Sequence, residues 1–215
     1  MSTILAIETS TRRSSVALLK ADRVIYDSEN EPIVADGFDL STMVMRALNI
    51  TGTSHSSIGG VAVDVGPGGL NAVRAGVTFA NGLAISLAVP IFPANSLEIM
   101  AHEANAKMGL PVICVRGANP ENALMAIYEK GKIDGFYSAP LSTLVDRARN
   151  LVDSHAVAGR FRKQFIRELS RLDFLDSDIE HPTAVSLLNM ISERGMSSRS
   201  HPSPVEIIYP EAVVL

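Results

Sequence analysis

The chemistry-bearing residues of this 215-residue chain gather at two places. The first is Glu8 followed by Thr9, Ser10 and Thr11, a carboxylate beside three hydroxyls at the end of an apolar run. Such a group could hold magnesium and the tail of a triphosphate, but strand ends also carry plain turns, and no second acidic residue can be paired with Glu8 from the sequence. The second is the segment "VAVDVGPGGLNAVRAG", Val61 to Gly76, in which Gly66, Pro67, Gly68 and Gly69 separate an apolar alternation from a long apolar stretch. Free N-H groups at a helix start that follows glycines can receive an anion, and Arg74, one turn in, could support that anion or cross an interface. The glycines do not form a Walker loop, because no "GK[ST]" follows, and they lack the spacing of a dinucleotide fingerprint. Glu8, Thr9, Gly66, Gly68 and Arg74 are thus the candidates for binding an anion or a nucleotide at an interface.

Other reactive residue types are dispersed. His55, His102, His155, His181 and His201 show no "HExxH" spacing and no cysteine cluster accompanies them, so no zinc site is expected. Cys114, the only cysteine, sits in "PVICV" and reads as a buried structural thiol. "RFRKQFIR", Arg160 to Arg167, reads as an amphipathic helix with Arg160, Lys163, Gln164 and Arg167 outside. The nearby Asp173, Asp176, Asp178 and Glu180 would neutralise it locally. No catalytic residue is assigned.

The elements that position these groups follow from periodicity. "TILAIE", "SVALLK" and "RVIYDS" read as three strands in a meander, the last two joined by a turn at Ala21 and Asp22. Asp39 can cap a helix to about Leu48, and "IGGVAVDV" is a fourth strand. A helix from about Leu70 to Leu87 follows the glycines, with apolar residues in nearly every direction and only a thin polar seam of Asn71, Arg74, Thr78 and Asn81. Its small residues Ala72, Gly76 and Ala80 would let a second helix approach closely. Two readings of this helix stay open: the covered core of its own lobe, or a contact with another chain.

In the second half, Ser96 can cap a short helix, and "PVICVR", "NALMAIYE" and "KIDGFY" read as strands with a turn at Lys130 and Gly131. "PLSTLVDRARN" and "RFRKQFIRELSRL" flank a short strand "HAVAG". "PTAVSLLNMISERG" is a helix with Pro182 at its first position and Gly195 as its stop. "SSRSHPSP" is a connector and "VEIIYPEAVVL" an edge segment. No internal repeat stands out in the residues. Domains are expected at 1–95 and 96–215, each an α/β sheet with helices.

Composition narrows the class. The chain is 47% hydrophobic and 20% charged, which is globular, and its net charge of -4 lacks the basic surplus of a protein that holds RNA by itself. The stretch around "GLAISLAVPIFPA" is too short to span a bilayer and is broken by Pro90 and Pro93, and the basic residues follow the first apolar run, the reverse of a secretory signal. No membrane association and a cytoplasmic location are expected.

"ILAIETSTRRSSVALL", the Gly-Pro-Gly bend, an Arg-x-Gly and "NGLA" together resemble the TsaB (YeaZ) family. That family usually reads Ile-Asp-Thr-Ser where Ile7, Glu8, Thr9 and Ser10 stand. Of its Gly-Pro-Gly-Ser-Phe-Thr-Gly-Leu-Arg-Ile-Gly pattern, Gly66, Pro67, Gly68, Arg74 and Gly76 match, while Gly69, Leu70, Asn71, Ala72 and Ala75 depart. The resemblance fades further on, where Arg116, Gly117, Ala118 and Tyr209, Pro210, Glu211 stand in place of family motifs. It implies a two-lobed actin-like (ribonuclease H-like) α/β fold and a non-catalytic subunit. Such a subunit supports an actin-like catalytic partner in making threonylcarbamoyladenosine at position 37 of tRNA. It implies a homodimer or heterodimer through the helix at 70–87, tRNA met only indirectly, no cofactor on the isolated chain, and ATP or ADP with magnesium at a partner interface. The alternative is an independent enzyme of the superfamily: a small-molecule kinase, a nucleotide hydrolase or a glycoprotease-like protein. Such an enzyme should carry a second glycine-rich segment and a late carboxylate, and the second half offers only "GANPEN".

Overall fold

The computed structural model describes residues 2–11, 13–31, 39–195, 204–206 and 213–214. His201 and all of the expected connector except Pro204 lie outside them. The chain divides into two compact units, one over Met1–Ser96 and Thr183–Ile208, the other over Leu97–Pro182 and Tyr209–Leu215. The return of the chain to the first unit after Pro182 was not legible in the residues.

The first unit is built on a five-stranded sheet. Strands β1 (Thr3–Glu8), β2 (Ser15–Lys20) and β3 (Arg23–Asp27) form an antiparallel meander, and β4 (Ile58–Asp64) and β5 (Ile91–Ala94) run parallel to β1, giving the order β3-β2-β1-β4-β5. The β2–β3 turn is the expected one: Ala21 and Asp22 have φ of 50° and 58°, the left-handed pair of a tight hairpin turn. Every residue of β1 is buried, as a central strand covered on both faces requires. Leu5, Ile7, Val61 and Val63 share one core with Val44, Ala47 and Leu48 of α1 (Leu40–Thr51) and with Val73, Val77, Ala80 and Ala84 of α2 (Leu70–Leu87). Ile4, Ala6, Ala17 and Ala62 alternate with these and are also buried; α6 (Ala184–Arg194) packs against β1, β2 and β4.

The second unit repeats the plan. Strands β6 (Val112–Gly117), β7 (Ala123–Glu129) and β8 (Lys132–Ala139) form a meander, with β9 (His155–Ala158) parallel to β6, β10 (Phe174–Asp176) parallel to β9, and β11 (Val213–Val214) on the edge beside β8. One core joins this sheet to α3 (Ser96–Met108) through Leu97, Met100, Ala101 and Ala104. A second joins it to α4 (Leu141–Ala148) and α5 (Arg162–Leu169). Strand for strand, β6 to β10 repeat β1 to β5, and even the glycines before the second crossover helix agree, Gly66 at φ 95° and Gly159 at φ 98°. The repeat is one of backbone path, carried by different side chains. The helix after each fifth strand belongs to the other unit: α3 follows β5, and α6 follows β10.

Three local expectations are corrected. Pro182 is not the first helical residue of α6, because Thr183 caps it, its side chain accepting from Ser186 N, and the helix starts at Ala184. The short strands β5 and β10 were not expected from the residues. The small residues Gly76 and Ala80 are buried within their own unit, Gly76 against Thr9, so they are not free to meet another helix.

The cap of α1 carries a pH consequence. Asp39 accepts from the Ser41 hydroxyl at 2.5 Å, the Thr42 N-H at 2.9 Å and the Thr42 hydroxyl at 3.0 Å. The Ser41 hydroxyl, then the Thr42 backbone and hydroxyl, lower its pKa from 3.8 to about 2. A depressed folded-state pKa means that the stabilisation is complete above the unfolded value and is lost as pH falls toward the folded one. Denaturant midpoints followed by circular dichroism should therefore fall between pH 4 and 2 more steeply in the native chain than in Asp39→Asn, which keeps an acceptor without the titration.

Candidate functional site

The parallel register Ile7↔Val63 sets the ends of β1 and β4 side by side, so Glu8 and Asp64 leave the sheet at the same edge. Both carboxylates are fully buried. Glu8 Oε1 accepts from the Ser10 backbone N-H at 2.5 Å and from the Ser10 hydroxyl at 2.6 Å. Asp64 Oδ1 accepts from Gly66 N at 2.8 Å, and Ser96 Oγ lies 2.7 and 2.8 Å from its two oxygens. The Ser96 hydroxyl is therefore directed to a buried carboxyl group.

The bend after β4 is pressed onto the loop after β1. Gly69 N donates to Ser10 O at 3.0 Å, and Ser96 N donates to Gly66 O at 2.9 Å. The Gly66–Pro67 peptide is cis. Gly68 lies so close to Ser10 that a Cβ would overlap its backbone, and a Cβ at Gly76 would overlap the Thr9 hydroxyl. That hydroxyl is buried with no hydrogen-bond partner among the described residues. Beyond Glu8, Ser15 Oγ accepts from Ala184 N at 2.9 Å and so satisfies one of the free N-H groups at the start of α6.

Of the expected site residues, Glu8, Thr9, Gly66 and Gly68 meet at this junction, and Arg74 stands exposed on α2. Ser10, expected beside Glu8, is there as well, whereas Asp64, Ser15 and Ser96 were not expected at the junction. A signal for Asp64 was present: "IGGVAVD", like "TILAIE", is an apolar run that ends in an acid, and adjacent parallel strands bring such ends together. No group of three or more His, Cys, Asp or Glu side chains could hold a metal ion among the described residues. The bonds of Glu8 Oε1 to Ser10 and of Asp64 to Ser96 and Gly66 brace the junction.

The remaining candidates are structural. His155 is buried, stacked on Phe174 with ring centroids 5.5 Å apart, and its Nδ1 lies 2.7 Å from Asp153 O. The Cys114 thiol donates to Leu97 O at 3.3 Å, and burial pushes its pKa up. The acidic run is neutralised locally, through Arg162, whose guanidinium is buried against Asp176 at 2.7 Å, Asp178 at 3.2 Å and Glu180 at 3.4 Å.

Comparison with known proteins places this arrangement. Residues 39–139 match the family model "TsaD: tRNA N6-adenosine threonylcarbamoyltransferase". The chain is 38% identical over 104 residues to the tRNA threonylcarbamoyladenosine biosynthesis protein TsaB of Bacillus subtilis, covering 46% of this chain and 43% of that one. It is 37% identical over 106 residues to the Escherichia coli TsaB, covering 49% and 46%. The chain resembles the TsaB (YeaZ) family. It spans about half the length of these curated relatives. The fold is shared over nearly the whole chain: the structure of YeaZ from Pseudomonas aeruginosa superposes with a TM-score of 0.73 at 23% identity, covering 95% of this chain and 99% of that one. This is the two-lobed actin-like α/β fold expected from the resemblance.

The structure also sorts the TsaB pattern. Among the matching positions, Gly66 needs a positive φ, Gly68 must admit Ser10 and Gly76 must admit Thr9, so each serves the chain's own body. The departures Gly69, Leu70, Asn71 and Ala75 are exposed and Ala72 is half-buried. Arg74 is both matching and exposed. Gly76→Ala should lower stability by about 1–3 kcal/mol through overpacking. Thr9→Ala in the same chain should restore most of it, because the overlapping atoms are gone. Thermal melts of the two single variants and the double variant measure this coupling.

Proposed function

We propose that this chain is an accessory subunit that binds and supports an actin-like catalytic partner in the synthesis of threonylcarbamoyladenosine at position 37 of tRNA. The likeness to TsaB supplies the process, and one surface carries the reading. On α2, Asn71, Ala75, Thr78, Gly82 and Ile85 are exposed at spacings of four, three, four and three. That is the seam on which two helices pack closely. A Cβ on Gly82 would meet nothing within 4 Å. A mid-helix glycine costs about 0.8–1 kcal/mol relative to alanine, and nothing within its own unit requires one here. A partner helix approaching at Gly82 supplies the reason. Leu70 at 45% and Ile85 at 65% exposure add apolar area at the two ends.

On this reading the chemistry lies in the partner, tRNA is met through that partner, and the complex works in the cytoplasm. Among the described residues no helix is long and apolar enough to cross a membrane. ATP or ADP with magnesium is held at the joint with the partner rather than by the isolated chain, in keeping with the bonded state of Glu8 and Asp64.

Deleting the gene should remove threonylcarbamoyladenosine from hydrolysed tRNA, measured by mass spectrometry, and the native chain should capture a TsaD-like protein from its own cell. Gly82→Arg should abolish that capture and fail to restore the nucleoside while leaving the fold intact. Gly82→Ala should raise the stability of the free subunit by up to about 1 kcal/mol. Unchanged nucleoside in the deletion strain would refute the assignment.

A further inference from the structure

The side chain of Asn81, in the polar seam of α2, is engaged on main chain. Its Nδ2 donates to Val205 O at 2.9 Å, and Val205 N donates back to its Oδ1 at 2.9 Å. A carboxamide that takes both the donor and the acceptor of one residue imitates a strand partner and selects extended backbone rather than a side chain. Side-chain selection comes from below: Val205 is 8% exposed and lies in the core that contains Val77, Ala80 and Ala84. Pro204 and Glu206, on either side of it, are exposed. The proline ring fixes one backbone angle, so less freedom is lost on docking.

The position of this clamp gives it meaning. Asn81 precedes Gly82 by one residue and lies one helical turn from both Thr78 and Ile85, so it borders the exposed seam. A helix seated on that seam runs alongside the docked segment. We propose that Pro204–Glu206, held by Asn81, forms one wall of the partner groove on α2, so that the catalytic subunit contacts the segment as well as the helix. This rests on the accessory-subunit reading.

The test uses the full chain and the purified TsaD-like catalytic subunit of the same organism. Affinity is measured by calorimetry, and exchange of the Val205 amide by nuclear magnetic resonance. Asn81→Ala should speed that exchange about tenfold, as expected for loss of a buried hydrogen-bond pair, and should weaken partner affinity by a similar factor. Glu206→Trp, a change on the exposed side of the wall, should weaken affinity about fivefold or more with the exchange unaltered, a result that a purely structural clamp would not give. Gly82→Arg should abolish binding without touching the Val205 amide. Retained binding in Gly82→Arg would overturn the α2 interface itself. Loss of binding there, with native affinity in both Asn81→Ala and Glu206→Trp, would overturn the wall alone. Unchanged exchange in Asn81→Ala would show that the clamp does not hold the segment.

Discussion

The first unit depends on two carboxylates removed from water at the ends of neighbouring strands. Burying a polar group costs free energy unless hydrogen bonds replace those to water, and here the donors come from the chain segments that must be brought together. Asp64 gathers the Gly66 backbone and the Ser96 hydroxyl, which ties the end of β4 to the bend before α2 and to the start of α3. Glu8 gathers Ser10, whose carbonyl in turn receives Gly69. The direction in which α2 leaves the sheet is set by these bonds.

Once α2 is set, its two sides acquire different tasks. Gly76 and Ala80 face inward and let the helix settle against Thr9 and the sheet, while Ala75, Thr78 and Gly82 face outward and keep the surface flat. A helix that is apolar all round is thereby explained without a fully enclosed core. Of the positions that depart from the TsaB pattern, Asn71 and Ala75 lie on the outward side, whereas Val73, where the pattern has Leu, is buried in the core; those that match, apart from Arg74, serve the inward one.

Much of this could be read from the residues. The alternation in "TILAIE", "SVALLK" and "IGGVAVD", the Ala21-Asp22 turn and the Asp39 cap carry their own local signals, and the structure follows them. β5 is four residues long and contains Pro93, and β10 has three residues next to aspartates; both are strands because of the neighbours they pair with, which no local pattern announces. The repeated topology is likewise invisible in the side chains. Register, a property of two strands at once, is needed to set Asp64 beside Glu8, and no single stretch of residues carries it. The orientation of the small residues on α2 required knowing where Thr9 sits.

The exchange of α3 and α6 between the units has a consequence for synthesis on the ribosome. The first sheet is complete in sequence by Ala94, yet the helix that packs on β1, β2 and β4 is not made until Arg194. A nascent chain released from the exit tunnel up to the middle of the second unit carries an uncovered apolar sheet face built from residues such as Ile4, Ala6 and Ala62. The amino-terminal unit therefore cannot finish folding first, as domains commonly do during translation. It waits, exposed to chaperones and to aggregation, until α6 has been made.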